Sequence, residues 1–182
     1  MSFMLLGILN SQAAGGGGGA YDLLETTTLA SAASSVTFSG LGSYSDYAHL
    51  QIRGVVKTTR DSTSDSMSIR FNSDSGSNYA NHRLRGNGST VSSANNINDT
   101  SIEIGNIVGN STSNVFAPFV LDLVDFQGTK NHTTRTLVGS SSIELYSGLW
   151  RDTSSLTSIE FIQAVGPNWQ VGSRWSLYGI RG

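Results

Sequence analysis

The sequence predicts an all-β fold, an antiparallel β-sandwich of jelly-roll-like type carried behind an extended N-terminal arm, on three observations. Apolar and polar residues alternate with a period of two in several segments, as in strands that are wet on one face. Short apolar runs recur at regular spacing, separated by clusters of Gly, Ser, Asn and Asp that form turns. Only 13% of residues are charged and 37% hydrophobic, and the Gly-, Ser-, Thr- and Asn-rich remainder suits many short strands. A chain of 182 residues is long enough for one domain with a substantial core.

The elements follow in order. Segment 21–29 reads as the first strand and 35–39 as the second. In 48–56, Ala48, Leu50, Ile52 and Val56 fall on one face and His49, Gln51 and Arg53 on the other, the pattern of an antiparallel sheet with one solvated side. In 67–71, Met67, Ile69 and Phe71 alternate with Ser68 and Arg70, which fixes the register of a half-buried strand. Further strands are predicted over 79–85, 102–108, 115–126, 134–138, 143–150, 156–164 and 174–180. Segments 61–66, 72–77, 86–98 and 109–114 read as loops.

Segment 115–126 stands apart because Phe116, Phe119, Val120, Leu121, Leu123 and Val124 make it apolar on both faces. It is expected to be a central strand, with one face open to contact another subunit. Pro118 argues for a bulge there or for a strand that begins beyond it, since proline lacks a ladder donor. Trp175 and Leu177 share one face of 174–180 while Tyr178 and Ile180 share the other, so burial is expected on both sides of that strand as well.

The N-terminal run Met1 to Leu9 is apolar and is followed by Ser11-Gln-Ala-Ala14, outwardly like a secretory signal. No Lys or Arg precedes Arg53, so the basic start of such a signal is missing. The run falls far short of the roughly 20 apolar residues needed to cross a bilayer, and no membrane span is expected. Five consecutive glycines, Gly15 to Gly19, form a flexible connector. The chain thus divides into an arm at 1–14, a Gly-rich tether at 15–20 and a β-sandwich domain at 21–182. The sequence leaves two readings of the arm open. It docks on another protein, or Phe3, Leu5, Ile8 and Leu9 pack back on their own domain.

Composition and motifs exclude several functions. A net charge of −2 supplies no counterion-release drive for nucleic acid. The absence of cysteine removes disulfides, thiolate metal sites and thiol catalysis. No nucleophile elbow, phosphate loop or zinc-protease motif occurs, so no catalytic residue, cofactor or metal is predicted. His49, His82 and His132 are scattered and read as residues of wet strand faces or loops. Asp122 and Asp125, three apart in a strand, point to opposite faces and cannot converge as a hydrolase pair. Glu103, Glu144 and Glu160 read as solvent-facing strand residues. Asp61, Asp65 and Asp74, with Asn72, are oxygen donors of the type calcium takes, but their spacing matches no calcium loop, and they read as solvated turn residues. Tyr44, Tyr47 and Trp169 lie in or beside loops and are the residues that would contact a glycan, because aromatic faces make stacking platforms.

Four segments, in their order and spacing, carry a resemblance. They are Leu6-Gly-Ile-Leu-Asn-Ser-Gln-Ala-Ala-Gly15, Tyr21-Asp-Leu-Leu-Glu-Thr26 with Val36-Thr-Phe38, Ile69-Arg-Phe-Asn-Ser-Asp-Ser-Gly-Ser-Asn-Tyr79, and Trp175-Ser-Leu-Tyr-Gly179. Together the chain resembles a family of small virion proteins of tailed bacteriophages, notably those of marine and cyanobacterial hosts. The family includes capsid decoration, head appendage and tail-fibre components. The resemblance implies a jelly-roll module displayed on a particle and attached by a short N-terminal segment. The expectation is therefore a non-enzymatic accessory structural protein of the virion. Phe3, Met4, Leu5, Leu6, Ile8 and Leu9 would dock it on other virion proteins of the capsid or tail, and the domain would self-associate as a homotrimer. The alternative from another class is an adhesin for host surface glycan.

Overall fold

Sequence alternation becomes sidedness in the fold. Leu50, Ile52, Val56, Met67, Ile69 and Phe71 are all fully buried, whereas Arg53 between them in sequence order points to solvent. The computed structural model describes residues 20–182. Within them lie β1 (Asp22–Thr28), β2 (Ser35–Ser39), β3 (His49–Val56), β4 (Ser64–Phe71), β5 (Tyr79–Gly86) and β6 (Val91–Asp99). These are followed by β7 (Ile102–Val108), β8 (Ala117–Val124), β9 (His132–Gly139), β10 (Ile143–Trp150), β11 (Ser158–Gln163) and β12 (Arg174–Ile180).

The strands form two antiparallel sheets packed face to face. The larger runs β1-β12-β3-β8-β9-β10-β5-β6 and the smaller β2-β11-β4-β7. The first four strands of the large sheet and all four of the small one follow one another in the order of a jelly roll, the chain changing sheets at every step but β4 to β7. Two hairpins widen it. β5–β6 is inserted between β4 and β7, β9–β10 between β8 and β11, and both extend the same sheet. Turn chemistry sets each hairpin. Asn87 Oδ1 accepts from the backbone N–H groups of Ser89 and Thr90 at 3.0 and 2.8 Å, and Gly88 takes φ 87°, a conformation glycine adopts without strain. Ser140 N–H donates to Ser142 O at 2.9 Å to close the turn between β9 and β10.

The core lies between the sheets. Phe161 of β11 packs at 6.1 Å from Trp175 of β12, which meets Trp169 edge-on at 5.2 Å. At the far end Trp150 stacks on Tyr79 at 6.2 Å and on His132 at 5.4 Å. β7 packs across β9 and β10.

The sequence misplaced several elements. The polar segment 86–98 holds strand β6 and is not a loop. β4 begins at Ser64, inside the stretch 61–66 read as a loop, and β9 begins at His132. β8 starts at Ala117, ahead of Pro118. The ladder to β3 includes Pro118, opposite Val55, but the ladder to β9 begins only at Phe119, which spares the residue without a donor from pairing on that side. No helix among the described residues is long and apolar enough to cross a membrane.

Candidate docking face

The outer face of the large sheet carries the main surface feature. Because facing residues in adjacent strands share a side, register decides what lies next to what. Leu84 of β5 faces Leu145 of β10, Leu145 faces Leu137 of β9, and Leu137 faces Val120 of β8. This apolar row crosses four strands, with Leu84, Leu145 and Leu137 at 51%, 44% and 52% exposure. Beside it Ile143, 70% exposed, stands between Gly86 and Gly139. Gly139 floors a shallow groove of about 300 Å³ walled by Pro118, Val120, Leu137 and Ile143. Neither row carries a charge. An apolar band laid across adjacent strands is the kind of surface that makes a candidate contact face.

A polar row borders the band. Arg135 donates to Asp122 Oδ2 from Nη2 at 2.7 Å and from Nε at 3.2 Å. Gln51 Nε2 donates to Asp122 Oδ1 at 2.6 Å, and Arg53 Nε donates to Gln51 Oε1 at 2.5 Å. The Arg53 guanidinium lies 4.7 Å from the Tyr21 ring centre and 4.9 Å from that of Tyr178. Each charge here has a partner, so the border can desolvate at lower cost than isolated charges would.

Beneath the band, on the inner side of β10, lies a polar cluster that sequence reasoning placed in solvent. Glu144 is fully buried. Its carboxylate accepts from Ser142 Oγ at 2.7 Å and Tyr146 OH at 2.6 Å, and Arg85 Nε lies 3.2 Å away. Glu103 comes within 3.3 Å of the same phenol. Burial first, and then the hydrogen bond to Glu144, push the Tyr146 phenol well above its usual range. The two carboxylates do meet, but Glu144 is fully buried and committed to Ser142 and Tyr146. The cluster ties β10 to β5 and β7 and offers no open reaction space at Glu144.

The other candidates are dispersed. The predicted docking residues Phe3, Met4, Leu5, Leu6, Ile8 and Leu9, with the arm and nearly all of the tether, lie outside the described residues. Trp169 is fully buried and donates from Nε1 to Phe161 O at 3.2 Å, so it presents no face to a glycan. Tyr44 and Tyr47 are half-buried against the core, and the Tyr47 hydroxyl donates to Asp22 Oδ2 at 3.1 Å. His132 is buried rather than wet, its Nε2 2.9 Å from Ser154 O.

The oxygen donors once grouped as turn residues are separated and committed. Asp65 is a buried strand residue accepting from Ser66 N at 2.9 Å and Gly166 N at 2.9 Å. Asp74 accepts from Gly76 N at 2.7 Å, Asn78 Nδ2 at 2.9 Å and Trp150 Nε1 at 2.7 Å. Asp61 accepts from Ser111 Oγ at 3.1 Å. Asn72, at φ 50°, accepts from Thr157 N at 2.7 Å and holds the start of β11. Among the described residues no group of three or more His, Asp or Glu is placed to hold a metal ion.

The chain matches no family model, no curated protein and no solved structure.

Proposed function

We propose that this chain is a non-enzymatic accessory structural protein of a tailed-phage particle, docked on capsid or tail by its apolar arm and displaying an oligomeric β-sandwich. The apolar row of Leu84, Leu145, Leu137 and Val120 carries the reading. It lays four apolar side chains in line across four hydrogen-bonded strands, which supports a role in contact with another protein. The jelly-roll order of the strands and the resemblance of the four sequence segments to phage virion proteins support it further. The arm adds a second attachment. Each docked apolar side chain contributes at most about 1.5–3 kcal/mol, and several arms on one oligomer multiply their effect through effective concentration.

The test is particle assembly with protein lacking residues 1–14. The truncated chain should fold, with the far-UV circular dichroism of the parent, and stay in the supernatant when particles are sedimented. Truncated protein that sediments with particles at the parent's occupancy refutes the docking role of the arm.

A further inference from the structure

We propose that β6 is a self-association edge, pairing antiparallel with β6 of a second copy about a two-fold axis at Asn95 and joining two eight-stranded sheets into one. β6 is nine residues long, and its burial pattern shows eight of them exposed and none buried. It is held by its ladder to β5 and, near its end, by Arg151, whose Nη2 donates to Asn98 Oδ1 at 2.7 Å. A strand that orders its backbone without burying apolar surface gains little from its own domain. Among the described residues its outer row of N–H and C=O groups has no strand beside it, the arrangement that templates pairing with another chain.

The other sheet edges are managed. β1 has a register shift between Leu23 and Glu25 and carries Asp22 and Glu25. β2 is only five residues long. β7 packs on β9 and β10 of the large sheet, and only Glu103 and Asn106 along it are not buried. β6 has neither proline nor Lys, its first charge is Asp99, and its one register shift falls at the Tyr79/Ala80 end, leaving the rest regular.

The strand's own sequence favours a second copy as the occupant. In a register centred on Asn95, Ser93 faces Ile97 of the partner copy and Val91 faces Asp99, so no like charges oppose each other. Facing residues then lie on the same side of the joined sheet. Because Ser93 is opposite Leu84 and Ile97 opposite Ala80, the row that begins at Leu84 of one copy continues through Ser93 to Ile97 and Ala80 of the other. A partner recognised by charge finds nothing to hold along 91–98. β1 and β6 sit at opposite ends of the large sheet, so pairing through β6 leaves the arm that leads into β1 free to dock elsewhere. The pairing gives self-association a two-fold form in place of the homotrimer expected from the sequence, and it rests on the particle reading only for its use in the virion.

The chain has no cysteine, so a single introduced thiol reports one contact. In full-length protein, Asn95→Cys should form a disulfide-linked dimer under mild oxidation about tenfold faster than Val165→Cys, because paired thiols react at high effective concentration. Val165, 65% exposed, serves as the unpaired control. Untagged parent protein should sediment at twice the chain mass. Asn95→Lys and Asn95→Glu should each sediment at the chain mass with unchanged circular dichroism, and a mixture of the two should return to twice that mass. A parent at one or three chain masses overturns the proposal, as does Asn95→Cys crosslinking no faster than Val165→Cys. These measurements use isolated protein, so their failure leaves arm-dependent particle attachment intact, and failure of that attachment leaves the pairing intact.

Discussion

The hydroxyl of Tyr146 donates to Oε2 of Glu144 across 2.6 Å, inside a sandwich where Glu144 has no exposure and Tyr146 has 1%. Two residues apart on β10, they project inward from the same face that holds Leu145 outward between them. Removing the phenol leaves a buried carboxylate short of a donor. Tyr146→Phe should therefore cost about 1–3 kcal/mol, read as a lower urea midpoint with an unchanged slope. Ser142→Ala, which removes the 2.7 Å donor to Oε1, should act in the same direction.

Buried phenols also set an alkaline limit. Tyr146 is pushed up, and Tyr79 is pushed from 10.0 to about 12 by burial before any other cause. The folded state thus binds these protons more tightly than the unfolded chain does. The stability they contribute is complete below pH 10, the ordinary phenol value, and declines as pH rises through that value toward the folded ones. Thermal midpoints should fall above about pH 10, with part of the tyrosinate absorbance appearing only as the protein unfolds. Tyr79→Phe should shallow that decline.

Asp74 governs the acid side. Asn78, then Trp150, then the Gly76 backbone hold its carboxyl below the usual 3.8. A carboxyl depressed in the fold contributes stability above its unfolded value and loses it as pH falls through the folded one. Asp74→Asn should therefore lower stability at neutral pH, by about 1–3 kcal/mol for weakened charge-assisted bonds. The gap to the parent should narrow as pH falls below about 4. Paired urea titrations at pH 7 and pH 3 check both.

Where one side of a strand was apolar and the other polar, the sequence told the fold plainly. Met67, Ile69 and Phe71 are buried, and 35–39 and 102–108 match β2 and β7 at both ends. Segments 143–150 and 174–180, apolar at both parities, also match β10 and β12 at both ends. β6 was illegible because nothing in it is buried, and Val-Ser-Ser-Ala-Asn-Asn-Ile-Asn-Asp looks like a loop to any argument from apolar periodicity. The exposed apolar row was half legible. Apolar residues at both parities in 115–126 gave one strand of it, and Ile143 and Leu145 alternating with Tyr146 carried the same signal. That Leu84, Leu145, Leu137 and Val120 form one row depends on hairpin register between distant segments, which no single strand encodes. Glu144 misled for a related reason. Its burial follows from Arg85 and Tyr146 standing beside it, a cross-strand and same-face arrangement.

The exposed row should matter for contact and not for folding. Leu137→Ser with Leu145→Ser removes apolar surface that faces solvent, and each change should shift stability by no more than about 0.5 kcal/mol. The same double variant should bind less of a hydrophobic dye and lower particle occupancy in sedimentation. A large loss of stability would place these leucines in the core of the folded unit.

The spacing of the sheets beneath that row rests on Gly105 of β7 and Val138 of β9. A methyl group added at Gly105 would sit 2.5 Å from Val138 Cγ2 and 3.3 Å from Cβ and Cγ1, closer than carbon atoms pack. Val138 is 1% exposed, so Gly105→Ala should cost about 1–3 kcal/mol by overpacking. Val138→Ala alone should also destabilise, by leaving a cavity. Combined, the added methyl fills space that the valine vacates, so the double variant should be more stable than the sum of the two losses by about 0.5–3 kcal/mol. Urea denaturation of the four proteins closes the cycle. Strict additivity would mean that β7 and β9 yield independently. Because Leu137 adjoins Val138 and carries the outer row, particle occupancy should then follow the order of stability measured across the four proteins.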